Sequence, residues 1–121
     1  MSALLTVKHL LAVMAVAPDS AVQLGSTTAP VAFAHALASI ETYPSALAAG
    51  SSEAFVAHCP LIPAANPNAV TALLATYSGT TGLPSLTTEA QAAGAITLRI
   101  ANSCADAPLN GKFTILLVVA Q

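Results

Sequence analysis

Charged residues are scarce in this chain. Asp, Glu, Lys and Arg make up 7% of its 121 residues, against roughly 25% in ordinary soluble domains. Tryptophan is absent, and aromatic residues make up 4%. A chain so poor in charge cannot build the usual charged surface. We therefore expect serine, threonine and alanine to form most of the surface, and we expect partners to be met through apolar and hydroxyl groups.

Among the charged residues, the basic ones are fewer than the acidic ones. They are Lys8, Arg99 and Lys112, and the formal net charge of the chain is −2. A protein that neutralises even about six phosphates needs more cations than this chain owns. A polybasic patch for anionic membranes fails on the same count. The composition therefore excludes nucleic acid and an anionic membrane surface as partners of a single copy.

A long uninterrupted apolar run is also missing. The run from Ala3 to Ala17 is broken by Lys8 and His9, and the run from Phe113 to Ala120 is too short for the ~20 residues that a spanning helix needs. We expect no membrane span. Residues 3–17 have some features of a secretory signal, but we expect them to be a strand or a helix of the domain, and periodicity does not decide between the two.

The two cysteines, Cys59 and Cys104, are 45 residues apart. In an oxidising compartment they could form one disulfide, which would stabilise the fold by ~3–4 kcal/mol in the loop-entropy model. Because disulfides follow the redox compartment and the evidence for a signal peptide is weak, we favour two free thiols.

Three segments carry helix patterns. Pro30 suits the first position of a helix over 30–42, and Thr88 with Gln91 forms a capping-box pattern for one turn that Gly94 ends. The fullest pattern predicts a helix over 66–79. It combines an asparagine N-cap, a proline at the next position, a glycine at the end and apolar residues at helical spacing: Asn66, Pro67, Gly79, and Val70, Leu73, Leu74 and Tyr77.

Strands are predicted near the end of the chain. Ile96, Leu98 and Ile100 alternate with polar residues, and the run 113–119 is apolar on both faces. The connection contains Asn110, and its length of about ten residues favours an antiparallel hairpin. A strand apolar on both faces needs cover from helices of the chain or from another subunit. The sequence therefore predicts one α+β domain over 1–121, with an antiparallel sheet that includes this hairpin and two or three short helices; the alternative is a mainly β fold.

Residues capable of catalysis or metal binding are present, but no known motif arranges them. There is no G-x-S-x-G elbow and no phosphate-binding glycine loop. The adjacent pair His58 and Cys59, with His35 or Cys104, does not meet the spacing of zinc ligands. We therefore predict no enzyme and no catalytic, cofactor-binding or metal-binding residue. The side chains that could serve in catalysis are His9, His35 and His58 as bases, with Glu41, Glu53 and Glu89 as orienting groups.

The composition favours a structural protein. A small chain with few charges, abundant alanine, serine and threonine, and a terminal strand apolar on both faces suits a subunit whose surface is buried against its neighbours. We expect a virion or capsid subunit of the coating or decoration type, whose partners are copies of itself and another shell protein. The alternative is a secreted, periplasmic or surface binding module with a Cys59–Cys104 disulfide.

Overall fold

The structure, a computed structural model, describes residues 19–120 and is built from eight strands. A single 3-10 turn, Pro67–Ala69, precedes the fifth strand, and the described residues contain no α-helix. The strands are β1 Asp19–Val22, β2 Val31–Ala32, β3 Leu37–Glu41, β4 Ser52–His58, β5 Val70–Tyr77, β6 Pro84–Ala92, β7 Ala95–Asn102 and β8 Phe113–Val119.

The strands form two four-stranded mixed sheets with related topologies. Sheet A has the order β1-β3-β8-β5, and sheet B has the order β2-β4-β7-β6. In each sheet the first strand is parallel to the second, and the remaining pairs are antiparallel. Sheets A and B therefore place a long central strand, β8 or β7, between a shorter strand and a long edge strand.

One hydrophobic core lies between the inner faces of the two sheets. Central strand β7 contributes Leu98, and central strand β8 contributes Leu117, both with 0% exposure. Because side chains alternate across a strand, every second residue of β7 and β8 is buried in this core. The α+β prediction is therefore wrong, since residues 19–120 form a β-sandwich of two mixed sheets and contain no helical layer.

The predicted helices are strands in the structure. The segment 30–42 contains β2 and β3, the segment 66–79 contains only the short 3-10 turn followed by β5, and the capping-box segment 88–94 lies in β6 and the turn after it. The strands predicted at 96–100 and 113–119 are present. They do not form a hairpin, because β7 belongs to sheet B and β8 to sheet A. The prediction for residues 3–17 falls outside the described residues.

The buried side chain of Asn102 holds the crossing from β7 to β8. Its Oδ1 accepts from the amides of Leu83 and Cys104, both at 3.1 Å. Its Nδ2 donates to the carbonyls of Leu47 at 3.2 Å and Ala107 at 2.9 Å. One buried amide thus bonds four backbone groups of the segments that meet at the crossing, as buried polar groups require.

Candidate interaction surface

The outer face of sheet A is apolar at its centre. Register places Leu73 of β5 beside Leu116 of β8, and Thr71 beside Val118. Leu73 is 59% exposed, whereas Leu116 and Val118 are half-buried by their neighbours in the sheet. We call this surface the apolar face. Its exposed or half-buried uncharged members are Ser20, Val22, Ser39, Thr71, Leu73, Thr76, Thr114, Leu116 and Val118, and Leu37, which lies beside Val118 on the same side, is buried.

Charge reaches the apolar face only at its border, as far as residues 19–120 show. Glu41 lies beside Thr114 in the sheet, and its carboxylate is paired with the ammonium group of Lys112. This exposed pair neutralises itself, so it adds no net charge to the face. The face therefore offers leucine, valine and hydroxyl side chains to whatever contacts it.

The outer face of sheet B has a different chemistry. Arg99 stands near its centre, bound to Glu89 of β6 and donating from Nη1 to Ser52 Oγ at 3.0 Å. The carboxylate of Glu89 raises the pKa of Arg99 through a hydrogen bond and its charge. The remaining outward residues are small or polar: Ala54, Val56, His58, Ser85, Thr87, Ala92, Ala95, Thr97 and Ala101. This face is suited to contact with water.

Three of the four sheet edges are short or carry proline and charge, which discourage pairing with another strand. Strands β1 and β2 are only four and two residues long. Strand β6 begins with Pro84, contains the charged Glu89 and has a register shift between Thr88 and Gln91. Short length, proline, charge and bulges are the devices that protect edges. Strand β5 is eight residues long and has neither proline nor charge, although it carries a register shift of its own after Leu74.

A shallow groove of about 420 Å³ separates the two long edge strands at one end of the sandwich. It is lined by Val70, Thr71 and Ala72 of β5 and by Leu86, Thr87 and Thr88 of β6. The groove contains no charged or titratable side chain, so it offers no acid, base or metal ligand. It does leave the backbone edge of β5 open to approach.

The residues considered for catalysis are dispersed in the described part of the chain. Glu41 and Glu89 are engaged in the two ion pairs, and Glu53 Oε1 accepts from Ser45 Oγ at 3.5 Å. No hydrogen bond in residues 19–120 joins a carboxylate to the imidazole of His35 or His58. Within these residues, no three acidic, histidine or cysteine side chains are grouped as metal ligands. His9 lies outside the described residues.

The two cysteines are free thiols at opposite ends of β7. The amide of buried Cys59 donates to the carbonyl of Gly94, immediately before β7, and Cys104 lies two residues beyond the end of the strand. Eight residues of strand span about 23 Å, whereas a disulfide needs Cα atoms within about 7 Å. The disulfide on which the alternative interpretation depends is therefore incompatible with this fold.

Sequence reasoning missed the parts of this surface that come from β5. The predicted helix over 66–79 includes Leu73, which the structure shows to be the most exposed apolar residue of the face. The pattern in 113–119 did indicate that Leu116 and Val118 require cover on a second face. The absence of charge from 70 to 77 was a further indication, because a helix on a protein surface normally carries charge on its outer side.

No helix among residues 19–120 has the length and hydropathy needed to cross a membrane. Comparison with models of known protein families, with curated proteins and with solved structures found no match to this chain.

Proposed function

We propose that this protein is a non-enzymatic structural subunit that assembles through apolar contacts, as a coat or decoration subunit of a virus or phage capsid does. The observation that carries the proposal is the apolar face. Leu116 lies at its centre, Leu73 and Val118 lie next to it, and the nearest charged group is already paired. Partners of such a face are copies of this chain and a second shell protein.

The energetics support burial of this face. Removing apolar surface from water stabilises a contact by ~25 cal/mol per Å². A folded chain of 12.0 kDa has a large surface relative to its volume, and charge is too scarce here to keep an apolar face apart from others. Contact with other subunits removes this face from water, whereas the outer face of sheet B can remain exposed to it.

Sedimentation velocity at increasing micromolar concentrations tests the proposal. We expect the wild-type protein to form species larger than the 12.0 kDa monomer, with a share that rises with concentration. Leu116→Asp places a charge at the centre of the apolar face and is expected to raise the concentration needed for assembly by about tenfold or more, since a desolvated unpaired charge opposes contact.

The matched control is Thr97→Asp, which introduces the same charge at the centre of the outer face of sheet B. Thermal melts establish that both variants are folded. We expect Thr97→Asp to assemble like the wild type. A single wild-type species at 12.0 kDa at all concentrations would contradict the proposal and favour a monomeric binding module.

A further inference from the structure

We propose that the open edge of β5 pairs antiparallel with β5 of a second copy about a two-fold axis at Leu73, which joins the two A sheets into one eight-stranded sheet. This inference rests on the proposed function, because it names one contact of the assembly. It begins from the observation that, of the four sheet edges formed by residues 19–120, only that of β5 is at once long, uncharged and free of proline.

The backbone of β5 presents unused groups to this edge. The amide of Ala120 donates to the carbonyl of Ala69 at 2.7 Å, whereas the amide of Val119 donates in the other direction, to Ala36 of the chain before β3. Hydrogen-bonded and non-bonded pairs alternate along an antiparallel ladder. The peptide groups of Val70, Ala72 and Leu74 therefore point away from β8, toward the open edge.

The register of β5 is symmetric about Leu73. The strand has a register shift between Leu74 and Thr76, so its ladder positions against β8 are Val70, Thr71, Ala72, Leu73, Leu74, Thr76 and Tyr77. Leu73 is the middle position, and it points outward. When the extra residue of the bulge is left out, the ladder positions on either side of Leu73 alternate between inward and outward side chains in the same order.

An antiparallel pair about this centre brings matching side chains together. Thr71 of one copy faces Thr76 of the other, Leu73 faces its own counterpart, and Ala72 faces Leu74 with their edge-directed peptide groups opposed. Cross-strand threonine pairs and apolar pairs stabilise sheets by ~0.2–1 kcal/mol each. No charge lies on β5, so the pairing of the two β5 strands brings no like charges together. These features favour a second copy as the occupant of this edge.

The area of the contact is near the lower limit for a specific interface. Seven ladder positions are about 24 Å long, and two sheets ~10 Å apart with their outer side chains are about 20 Å deep. The side of the sandwich therefore offers close to 500 Å² per copy, and specific interfaces bury at least about 1,000 Å² in total. The contact is thus expected to be weak alone and to gain strength within an assembly.

Disulfide trapping tests the axis. In a Cys104→Ser background, Leu73→Cys brings two thiols together at a non-bonded pair, where Cα atoms are ~4.5 Å apart and a disulfide can form. We expect a covalent dimer on a non-reducing gel after mild oxidation. Thr97→Cys in the same background is the control, and it is expected to yield at least about tenfold less dimer in the same time.

Proline substitution tests the strand pairing. Ala72→Pro removes an amide that points to the open edge, and proline is tolerated there because no bond to β8 is lost. We expect a folded protein that needs about tenfold more material to associate. Thr88→Pro on β6 is the control. The amide of Ser103 donates to the carbonyl of Leu83, so by the alternation of bonded and non-bonded pairs the peptide groups of Thr88 point away from β7. We expect this variant to leave association unchanged.

The outcomes separate this inference from the proposed function. If the wild type assembles but Leu73→Cys forms no more dimer than the control, the β5 axis is wrong and the structural role remains. If the dimer forms but Ala72→Pro leaves association intact, the copies meet through the apolar face without strand pairing, which also overturns the inference. If the wild type remains a monomer, both proposals fail.

Discussion

Sheets A and B have equivalent inner faces and different outer faces. Leu117 of β8 and Leu98 of β7 occupy the same kind of position in the shared core, each fully buried. On the outside, Leu116 of β8 corresponds to Thr97 or Arg99 of β7. A sandwich requires only that its inner faces be apolar. The leucines and valines on the outer face of sheet A therefore have no part in holding the two sheets together, which is why we propose that they contact other molecules.

The largest effect is expected where the two sheets are equivalent. Leu117→Ala and Leu98→Ala each remove a fully buried leucine from a central strand. Both are expected to lower the free energy of unfolding by about 3 kcal/mol, within the ~2–5 kcal/mol range of such cavities. Urea denaturation measures both. A loss at only one of the two positions would show that the inner faces do not contribute equally to one core.

The sequence identified the inner face of β7 because nothing interrupts its alternation. Ile96, Leu98 and Ile100 are 2%, 0% and 6% exposed, and the intervening residues lie outside. The apolar run of β8 also predicted that the side chains on its outer face contact another element or another molecule. A regular alternation, as in β7, and a short continuous apolar run, as in β8, are the two sequence patterns that indicate strands.

Two of the three false helices, those over 66–79 and 88–94, arose at bulges. In a regular strand Val70 and Tyr77, seven residues apart, would face opposite sides, but the register shift after Leu74 turns both toward the core and produces helical spacing. On β6 the register shift between Thr88 and Gln91 brings these two residues, three apart in sequence, to the same side of the strand. Their spacing is also that of a capping box. A bulge adds a residue to one strand alone, so the sequence shows the spacing and not its cause.

The crossing after β7 could not be predicted for a different reason. The length of the connection before β8 suits a hairpin, and the choice of a crossing depends on the four hydrogen bonds of buried Asn102. Two of those bonds join Asn102 to Leu47 and Leu83, which lie 55 and 19 residues away in sequence. Local patterns carry no information on such contacts.

The second prediction concerns a variant in which the outer face of sheet B resembles that of sheet A. The double variant Thr97→Leu with Arg99→Leu removes an exposed ion pair worth ~0–1 kcal/mol and adds two leucines to the centre of the face. We expect the free energy of unfolding to change by less than about 1 kcal/mol, whereas sedimentation velocity shows more association than in the wild type. The control is Thr97→Ser with Arg99→Lys. Equal association of the leucine variant and the control would mean that outer-face chemistry does not decide assembly.

The smallest effect is expected at the two short edge strands, β1 and β2. They differ because β1 contains a titratable residue, Asp19, and β2 contains none. Asp19 of β1 accepts from the amide of Ala34 at 2.7 Å, which holds the pKa of Asp19 below its ordinary value, and His35 nearby adds to the shift. Strand β2 of sheet B has only Val31 and Ala32. Because the folded state favours the ionised carboxylate, this stabilisation is present above about pH 4 and is lost as the pH falls through the lowered pKa.

Replacement of that carboxylate isolates its contribution. Asp19→Asn is expected to melt slightly below the wild type at pH 7 and to lose less of its melting temperature between pH 5 and about pH 3, because it has no carboxylate to protonate. Asp106→Asn, which removes an exposed acid from the loop before β8, is the control and is expected to retain the wild-type dependence on pH. Thermal melts across this range measure all three proteins. If Asp19→Asn and the wild type lose melting temperature in parallel as the pH falls, the bond to Ala34 does not stabilise the β1 edge, and the two short edges are equivalent after all.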